Sequence, residues 1–169
     1  VVPVTTAAGM REAKAAGRLA GLLAVEGAHV LEGDLDEVDR LYARGVRMIT
    51  LTHFLSNGVA DGTSSPYRPL RGLSEFGRHV VRRMEALGML ICTAHCTDEA
   101  FEQVLDAARG PVICSHGALR TFKDIERNHT EDQARRLAAS GGLFGVMFFP
   151  KYLGPGVGSD ASSIAVHAA

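Results

Sequence analysis

The chain has 169 residues, of which 46% are hydrophobic and 22% are charged, a size and composition typical of one globular domain with a substantial core. Its formal net charge is −1 and acidic and basic residues are interleaved along it. The sequence therefore lacks the charge pattern of a surface that binds nucleic acid or anionic lipid. It also lacks the run of about 18 apolar residues that a transmembrane helix requires, so we expect no membrane segment.

The cysteine content bears on the cellular compartment. Cys92, Cys96 and Cys114 are odd in number and lie in or beside apolar runs, which argues against a framework of disulfides and fits a reducing environment. The first residues lack the basic and apolar regions of a signal peptide. Both observations predict a cytoplasmic protein, and a mature secreted form without its signal peptide is the alternative.

Short, nearly continuous apolar runs alternate with amphipathic segments along the chain. Runs of this kind are typical of parallel strands that are covered on both faces. The five predicted strands are 22–25, 48–51, 89–92, 112–114 and 143–149.

Four helices are predicted between these strands, because each amphipathic segment begins at a residue that can cap a helix and ends at a glycine. The candidate caps are Asp34, Ser74, Thr97 and Thr130. Repeated strand–helix units indicate a parallel sheet, either an open doubly wound sheet or a (β/α)8 barrel. No glycine-rich phosphate loop follows a strand, which disfavours a nucleotide-binding open sheet. Residues 56–72 and 150–160 are predicted to be loops at the active site.

Four successive predicted strands end in a residue that can bind a metal or exchange a proton. These residues are Glu26, His53, His95 and His116. Because the carboxyl ends of parallel strands meet at one edge of a sheet, we expect the four side chains to converge there. Imidazole and carboxylate groups suit zinc, and three protein ligands leave one position open for water. An isolated histidine in such a place is more often structural, and a lone glutamate can pair with an arginine, but four together favour a metal site.

The order of motifs resembles the membrane (renal) dipeptidase family of zinc peptidases, peptidase family M19, from about residue 11 to residue 150. The motifs that carry the resemblance are Val25-Glu26-Gly27-Ala28-His29, Leu51-Thr52-His53, Asn57, Ala60-Asp61, Gly72-Leu73-Ser74-Glu75-Phe76-Gly77, Ala94-His95, Ser115-His116 and Arg127-Asn128. The resemblance implies a (β/α)8 barrel with two zinc ions at its C-terminal mouth and a dipeptide as substrate.

The resemblance also implies a role for each site residue. Glu26 would bridge both zinc ions, and His95 and His116 would complete the second zinc site. His53 would be the catalytic residue that contacts the substrate near the scissile carbonyl, where it stabilises the developing oxyanion. Arg127 would bind the free carboxylate of the dipeptide. A metal-bound hydroxide would attack the peptide bond.

The sequence departs from the family pattern at two motifs. It contains no His-x-Asp pair, which holds the first zinc in the family, and so retains ligands mainly for one zinc plus the bridging Glu26. Gly158-Ser159-Asp160 shares three letters with a late catalytic motif, but the context differs, and we interpret Asp160 as a loop residue. Five strands cannot close a barrel of eight, so residues 1–169 are predicted to be one partial barrel, with a loop and tail at 150–169.

An incomplete barrel leaves apolar edges, which predicts a homo-oligomer or a chain completed by missing segments. Two other functions stay open from the residues. One is a different metal-dependent amidohydrolase on the same barrel. The other is a truncated, catalytically impaired homologue that acts as a binding or oligomerisation module.

Overall fold

The computed structural model describes residues 1–154, and residues 155–169, including Asp160, lie outside the described residues. It contains one curled sheet of six parallel strands, and each strand pairs with its neighbours in chain order. The strands are β1 (Val2–Val4), β2 (Ala20–Glu26), β3 (Val46–Thr50), β4 (Leu90–Cys92), β5 (Val112–Gly117) and β6 (Leu143–Val146). Parallel strands in strictly sequential order are typical of a (β/α) barrel, whereas a doubly wound sheet reverses its order.

Within residues 1–154, five α-helices and one 3₁₀ turn connect these strands, and a sixth helix follows β6. The helices are α1 (Ala7–Ala15), α2 (Asp36–Ala43), α3 (Glu75–Ala86), α4 (Asp98–Ala107), α5 (Glu131–Ala139) and α6 (Pro150–Leu153), and the 3₁₀ turn is Ala28–Leu31. The capping predictions are confirmed for three helices. The hydroxyls of Ser74 and Thr97 accept bonds from backbone amides three residues on, and Thr130 forms a complete capping box with Gln133.

The structure corrects the predicted number of strands from five to six. The additional strand, β1, has only three residues and Pro3 at its centre, so it offers neither the length nor the alternation that predicts a strand. Proline lacks an amide proton for the ladder, and β1 tolerates it because it lies at the edge of the sheet.

The last strand and the loop after it also differ from the prediction. Strand β6 ends at Val146 instead of running to Phe149, and Phe148 and Phe149 are 77% and 55% exposed. Within the predicted loop at 150–160, the described part forms the single turn of α6, which starts at Pro150. Proline is favoured at the first position of a helix because its missing amide proton is not needed there.

The core lies between the sheet and the helices that cover its outer face. Met84 of α3 and Phe101 of α4 are completely buried in the same apolar cluster as Ile49 of β3 and Ile91 of β4. Each such side chain contributes about 1.5–3 kcal/mol on burial. This packing fixes the strands and therefore the positions of the residues at their carboxyl ends. Among residues 1–154, no helix combines the length and apolar character needed to span a bilayer.

Candidate metal centre

The carboxyl ends of three strands bring one carboxylate and two imidazoles together. Glu26 is the last residue of β2, His95 follows β4, and His116 lies near the end of β5. The Oε1 atom of Glu26 lies 3.2 Å from Nε2 of His95 and 3.3 Å from Nε2 of His116. The two histidine Nε2 atoms are 2.9 Å apart. Three potential ligand atoms thus form a nearly regular triangle.

The size of this triangle fits a metal ion. Around a tetrahedral zinc ion with bonds of about 2.0–2.1 Å, neighbouring nitrogen or oxygen ligands are about 3.3 Å apart. Two imidazole nitrogens and one carboxylate oxygen are also the ligand types that zinc accepts in open sites. The donor set and its spacing are therefore suited to a divalent metal.

His53 lies beside this triangle. Its ligand nitrogen and those of Glu26 and His95 are all within 4.8 Å of one another. The ring centroids of His53 and His95 are 5.0 Å apart in an edge-to-face arrangement. The structure thus places together all four strand-end residues that the sequence singled out, while their individual roles remain predictions.

The backbone of the loops around the site is locally strained. His95 and Phe54 have φ angles of +68° and +60°, a left-handed conformation that costs about 1–2 kcal/mol for a residue with a Cβ atom. The amide of Thr63 donates to the carbonyl oxygen of His95 at 2.9 Å. The long loop predicted at 56–72 therefore helps to hold His95 in this conformation.

A cavity of about 470 Å³ opens over the triangle, a volume suited to a small ligand. Its wall combines the four strand-end residues with aromatic and apolar side chains. The lining residues are Glu26, His53, Phe54, His95, Ser115, His116, Arg127, Val146, Met147, Phe148, Phe149 and Tyr152. Sequence reasoning missed the apolar lining and Ser115, because exposed aromatics after a strand and a serine beside a histidine are both common patterns.

Arg127 reaches the same cavity from the loop after β5. Its side chain is only 7% exposed, and Nη2 donates to the carbonyl oxygen of His116 at 3.1 Å. Its Nε and Nη1 are buried and have no hydrogen-bond partner among the described residues. Burial lowers the pKa of the guanidinium below its usual value, yet arginine remains charged at neutral pH. Arg127 therefore places a cation in the wall of the cavity.

The two histidines of the triangle are held in the neutral form. Burial, followed by the charges of Arg127, His116 and His53, lowers the pKa of His95 to about 3. The pKa of His116 is lowered by burial and Arg127, against the opposing effect of Glu26. Neutral imidazole has the free lone pair that a metal ligand needs.

Two other described histidines and the cysteines lie outside the triangle. His79 is an exposed residue of α3 paired with Glu75, and His129 is buried. The three cysteines are free and buried. Burial raises the pKa of Cys96 to about 12 and also raises that of Cys114, so neither is a thiolate at neutral pH.

Comparison with known proteins identifies the family. Residues 1–167 match the sequence model of the membrane dipeptidase family, peptidase family M19. The chain belongs to the membrane dipeptidase family. An uncharacterized dipeptidase from Schizosaccharomyces pombe is 36% identical over 88% of this chain and 36% of its own length. Dipeptidase 3 from Macaca fascicularis is 33% identical over 97% of this chain and 34% of its own length.

A solved structure of the family confirms the barrel-type fold. The crystal structure of the probable dipeptidase PvdM from Pseudomonas aeruginosa superimposes with a TM-score of 0.88 and 32% identity. The match covers 92% of this chain and 40% of that protein. The chain spans about a third of the length of the curated relatives that it matches. The described residues are therefore an incomplete barrel of the membrane dipeptidase family.

Proposed function

We propose that this chain forms part of a zinc-dependent dipeptidase and supplies one of its metal sites. The observation that carries the proposal is the triangle of Glu26 Oε1, His95 Nε2 and His116 Nε2, with edges of 2.9–3.3 Å. Glu26, His95 and His116 would hold the zinc ion. When bound, zinc supplies a Lewis acid and activates water at neutral pH. Membership of a metallopeptidase family supports the choice of a metal.

Arg127 and His53 would bind and orient the dipeptide. The guanidinium of Arg127 lines the same cavity as the metal ligands, and it suits a carboxylate because a guanidinium can pair with two oxygens at once. His53 lies beside the metal ligands, where it can donate a hydrogen bond to a carbonyl oxygen as negative charge develops on it. A carboxylate anchor close to the metal ligands favours a short substrate with a free C-terminus.

The first experiment measures the zinc content of the purified protein by elemental analysis and the hydrolysis of a simple dipeptide with and without a chelator. We expect bound zinc, and turnover that the chelator abolishes. Glu26→Gln should lower both the zinc content and the rate, whereas the matched change at the exposed Glu32, Glu32→Gln, should leave both unchanged. Absence of zinc from a folded protein would contradict the proposed site.

The second candidate is a catalytically impaired homologue, which stays open because these 169 residues hold ligands mainly for one zinc. Zinc bound at full occupancy without hydrolysis of any dipeptide would identify a catalytically impaired homologue that binds ligands or other chains. Hydrolysis of cyclic amides or deamination, but not of dipeptides, would instead identify another metal-dependent amidohydrolase.

We also propose that the open sheet is covered in the functional protein, by further strands or by another copy of the chain. Strand residues Leu23, Leu90 and Leu143 are 55%, 36% and 65% exposed, and exposed apolar strands favour association. Light scattering after gel filtration should show a mass above that of one chain. A monomer at all concentrations would contradict self-association. The cytoplasmic location stays a prediction.

A further inference from the structure

Ser115 makes a direct contact with one of the proposed metal ligands. Its Oγ atom lies 2.9 Å from Nδ1 of His116, the ring nitrogen on the side away from Glu26 and His95. The Nε2 atom of the same ring faces those two residues, at 3.3 Å and 2.9 Å. The imidazole of His116 is therefore contacted at both of its nitrogens.

An irregularity in β5 makes this contact possible. Consecutive residues of a regular strand point to opposite faces, but the pairing of β5 with β6 changes register between Cys114 and Gly117. Ser115 and His116 lie inside this interval, and both line the same cavity. Bulges near active sites commonly redirect a side chain in this way.

The position of Ser115 is itself fixed by Cys92 in the neighbouring strand β4. The amide of Ser115 donates to Sγ of Cys92 at 3.3 Å, and Sγ lies 3.1 Å from Oγ of Ser115. Cys92 is completely buried. The serine hydroxyl is therefore held between a core thiol and the imidazole.

We propose that Ser115 is a positioning residue that keeps the proton of His116 on Nδ1 and so leaves the lone pair of Nε2 free for a metal. In this arrangement Nδ1–H donates to Oγ of Ser115. Neutral imidazole carries one proton, and the hydrogen bond at one nitrogen decides which nitrogen can be a ligand. The inference rests on the proposed metal site, but it adds a residue that does not touch the metal.

Loss of the contact between Ser115 and His116 should weaken the binding of zinc. Removal of a group that orients a metal ligand typically weakens metal binding 10–100-fold. We therefore expect Ser115→Ala to weaken zinc binding by about that factor, measured by competition with a chromophoric chelator. Ser115→Thr retains the hydroxyl and should bind zinc nearly as the wild type does. Ser64→Ala removes an exposed hydroxyl from a nearby loop and is the matched control.

A second measurement reports which ring nitrogen of His116 carries the proton. In the metal-free protein, ¹⁵N NMR of His116 should show the proton on Nδ1, and Ser115→Ala should give a mixture of both tautomers. Circular dichroism and thermal unfolding check that each variant is folded.

The possible results separate this inference from the proposed function. Zinc affinity and tautomer that are the same in Ser115→Ala and in the wild type would overturn the role of Ser115 and leave the zinc site intact. Equal losses in Ser115→Ala and Ser115→Thr would also overturn it, because packing rather than the hydroxyl would then be responsible. A wild-type protein that binds no zinc would overturn the proposed site and this inference together.

Discussion

Arg127 donates through Nη2 to the carbonyl oxygen of His116 at 3.1 Å. The residue proposed to bind the substrate carboxylate is thus attached to the backbone of a proposed metal ligand. The other two guanidinium nitrogens, Nε and Nη1, are buried and have no hydrogen-bond partner among residues 1–154. A buried donor without a partner destabilises the fold, which is consistent with a group kept for binding rather than for stability.

Arg127→Met should therefore have opposite effects on stability and on function. Removal of the buried charge and its two unpaired donors should outweigh the loss of the bond from Nη2 to His116, and so raise the free energy of unfolding by up to about 1 kcal/mol. Loss of the carboxylate anchor should raise KM for a dipeptide by about tenfold or more. Urea unfolding and steady-state kinetics measure the two effects, while the zinc content should stay the same.

Arg135→Met is the control for this experiment, because Arg135 lies on the exposed face of α5 and pairs with Glu131. Exposed pairs of this kind contribute about 0–1 kcal/mol, so this variant should keep its KM and lose little stability. Destabilisation of the protein by Arg127→Met without any change in KM would mean that Arg127 is a structural residue.

Gly145 should tolerate no side chain, because β6 passes very close to β5 at the irregular segment. A Cβ atom at Gly145 would lie 2.2 Å from the carbonyl oxygen of Ser115, so either β6 or the segment of β5 that carries His116 would have to shift. Gly145→Ala should lower the free energy of unfolding by about 1–3 kcal/mol and weaken zinc binding as well. Chemical denaturation and chelator competition measure both quantities.

Gly58→Ala is the matched control, since Gly58 is exposed and has no atom within 4 Å of a Cβ position. It should change stability by no more than about 0.5 kcal/mol. Wild-type stability in Gly145→Ala would show that the two strands can separate at this point, and the rigid placement of His116 would then need another explanation.

The strand–helix order could be predicted from sequence because apolar runs and helix caps are local signals. The capping box at Thr130 and the caps at Ser74 and Thr97 appear in the structure as predicted. Strand β1 could not be predicted in this way, because a three-residue strand with Pro3 is specified by its pairing with β2 and not by its own pattern.

The convergence of Glu26, His95 and His116 could be predicted because it depends only on the strand ends meeting at one edge. The proposed role of Ser115 could not be predicted from the sequence. Alternation along a regular strand predicts that Ser115 and His116 point to opposite faces, and the irregular pairing of β5 with β6 reverses that expectation. Irregularities of this kind depend on contacts between strands, such as the close approach that Gly145 permits.

His129 should make the stability of the protein depend on pH. It is almost fully buried, it packs against Phe101 and Phe144, and its Nε2 lies 3.5 Å from Sγ of Cys114. Burial, reinforced by the charge of Arg127, lowers its pKa from 6.5 to about 4. Between pH 6.5 and about pH 4, His129 binds a proton in the unfolded chain but not in the folded chain. Acid therefore favours unfolding: the contribution of His129 to the free energy of unfolding is highest above pH 6.5 and is lost as the pH falls towards 4.

From about pH 7.5 to about pH 5, this group alone should lower the free energy of unfolding by about 2 kcal/mol. The pKa values of His95 and His116 are lowered as well, so the effect of His129 is obtained as a difference between two proteins. Urea unfolding gives the free energy of unfolding of the wild type and of His129→Gln at both pH values. The variant should lose less stability on acidification, while His79→Gln, at an exposed position on α3, should match the wild type. Equal losses in all three proteins would mean that His129 takes up its proton in the folded state as readily as in the unfolded chain.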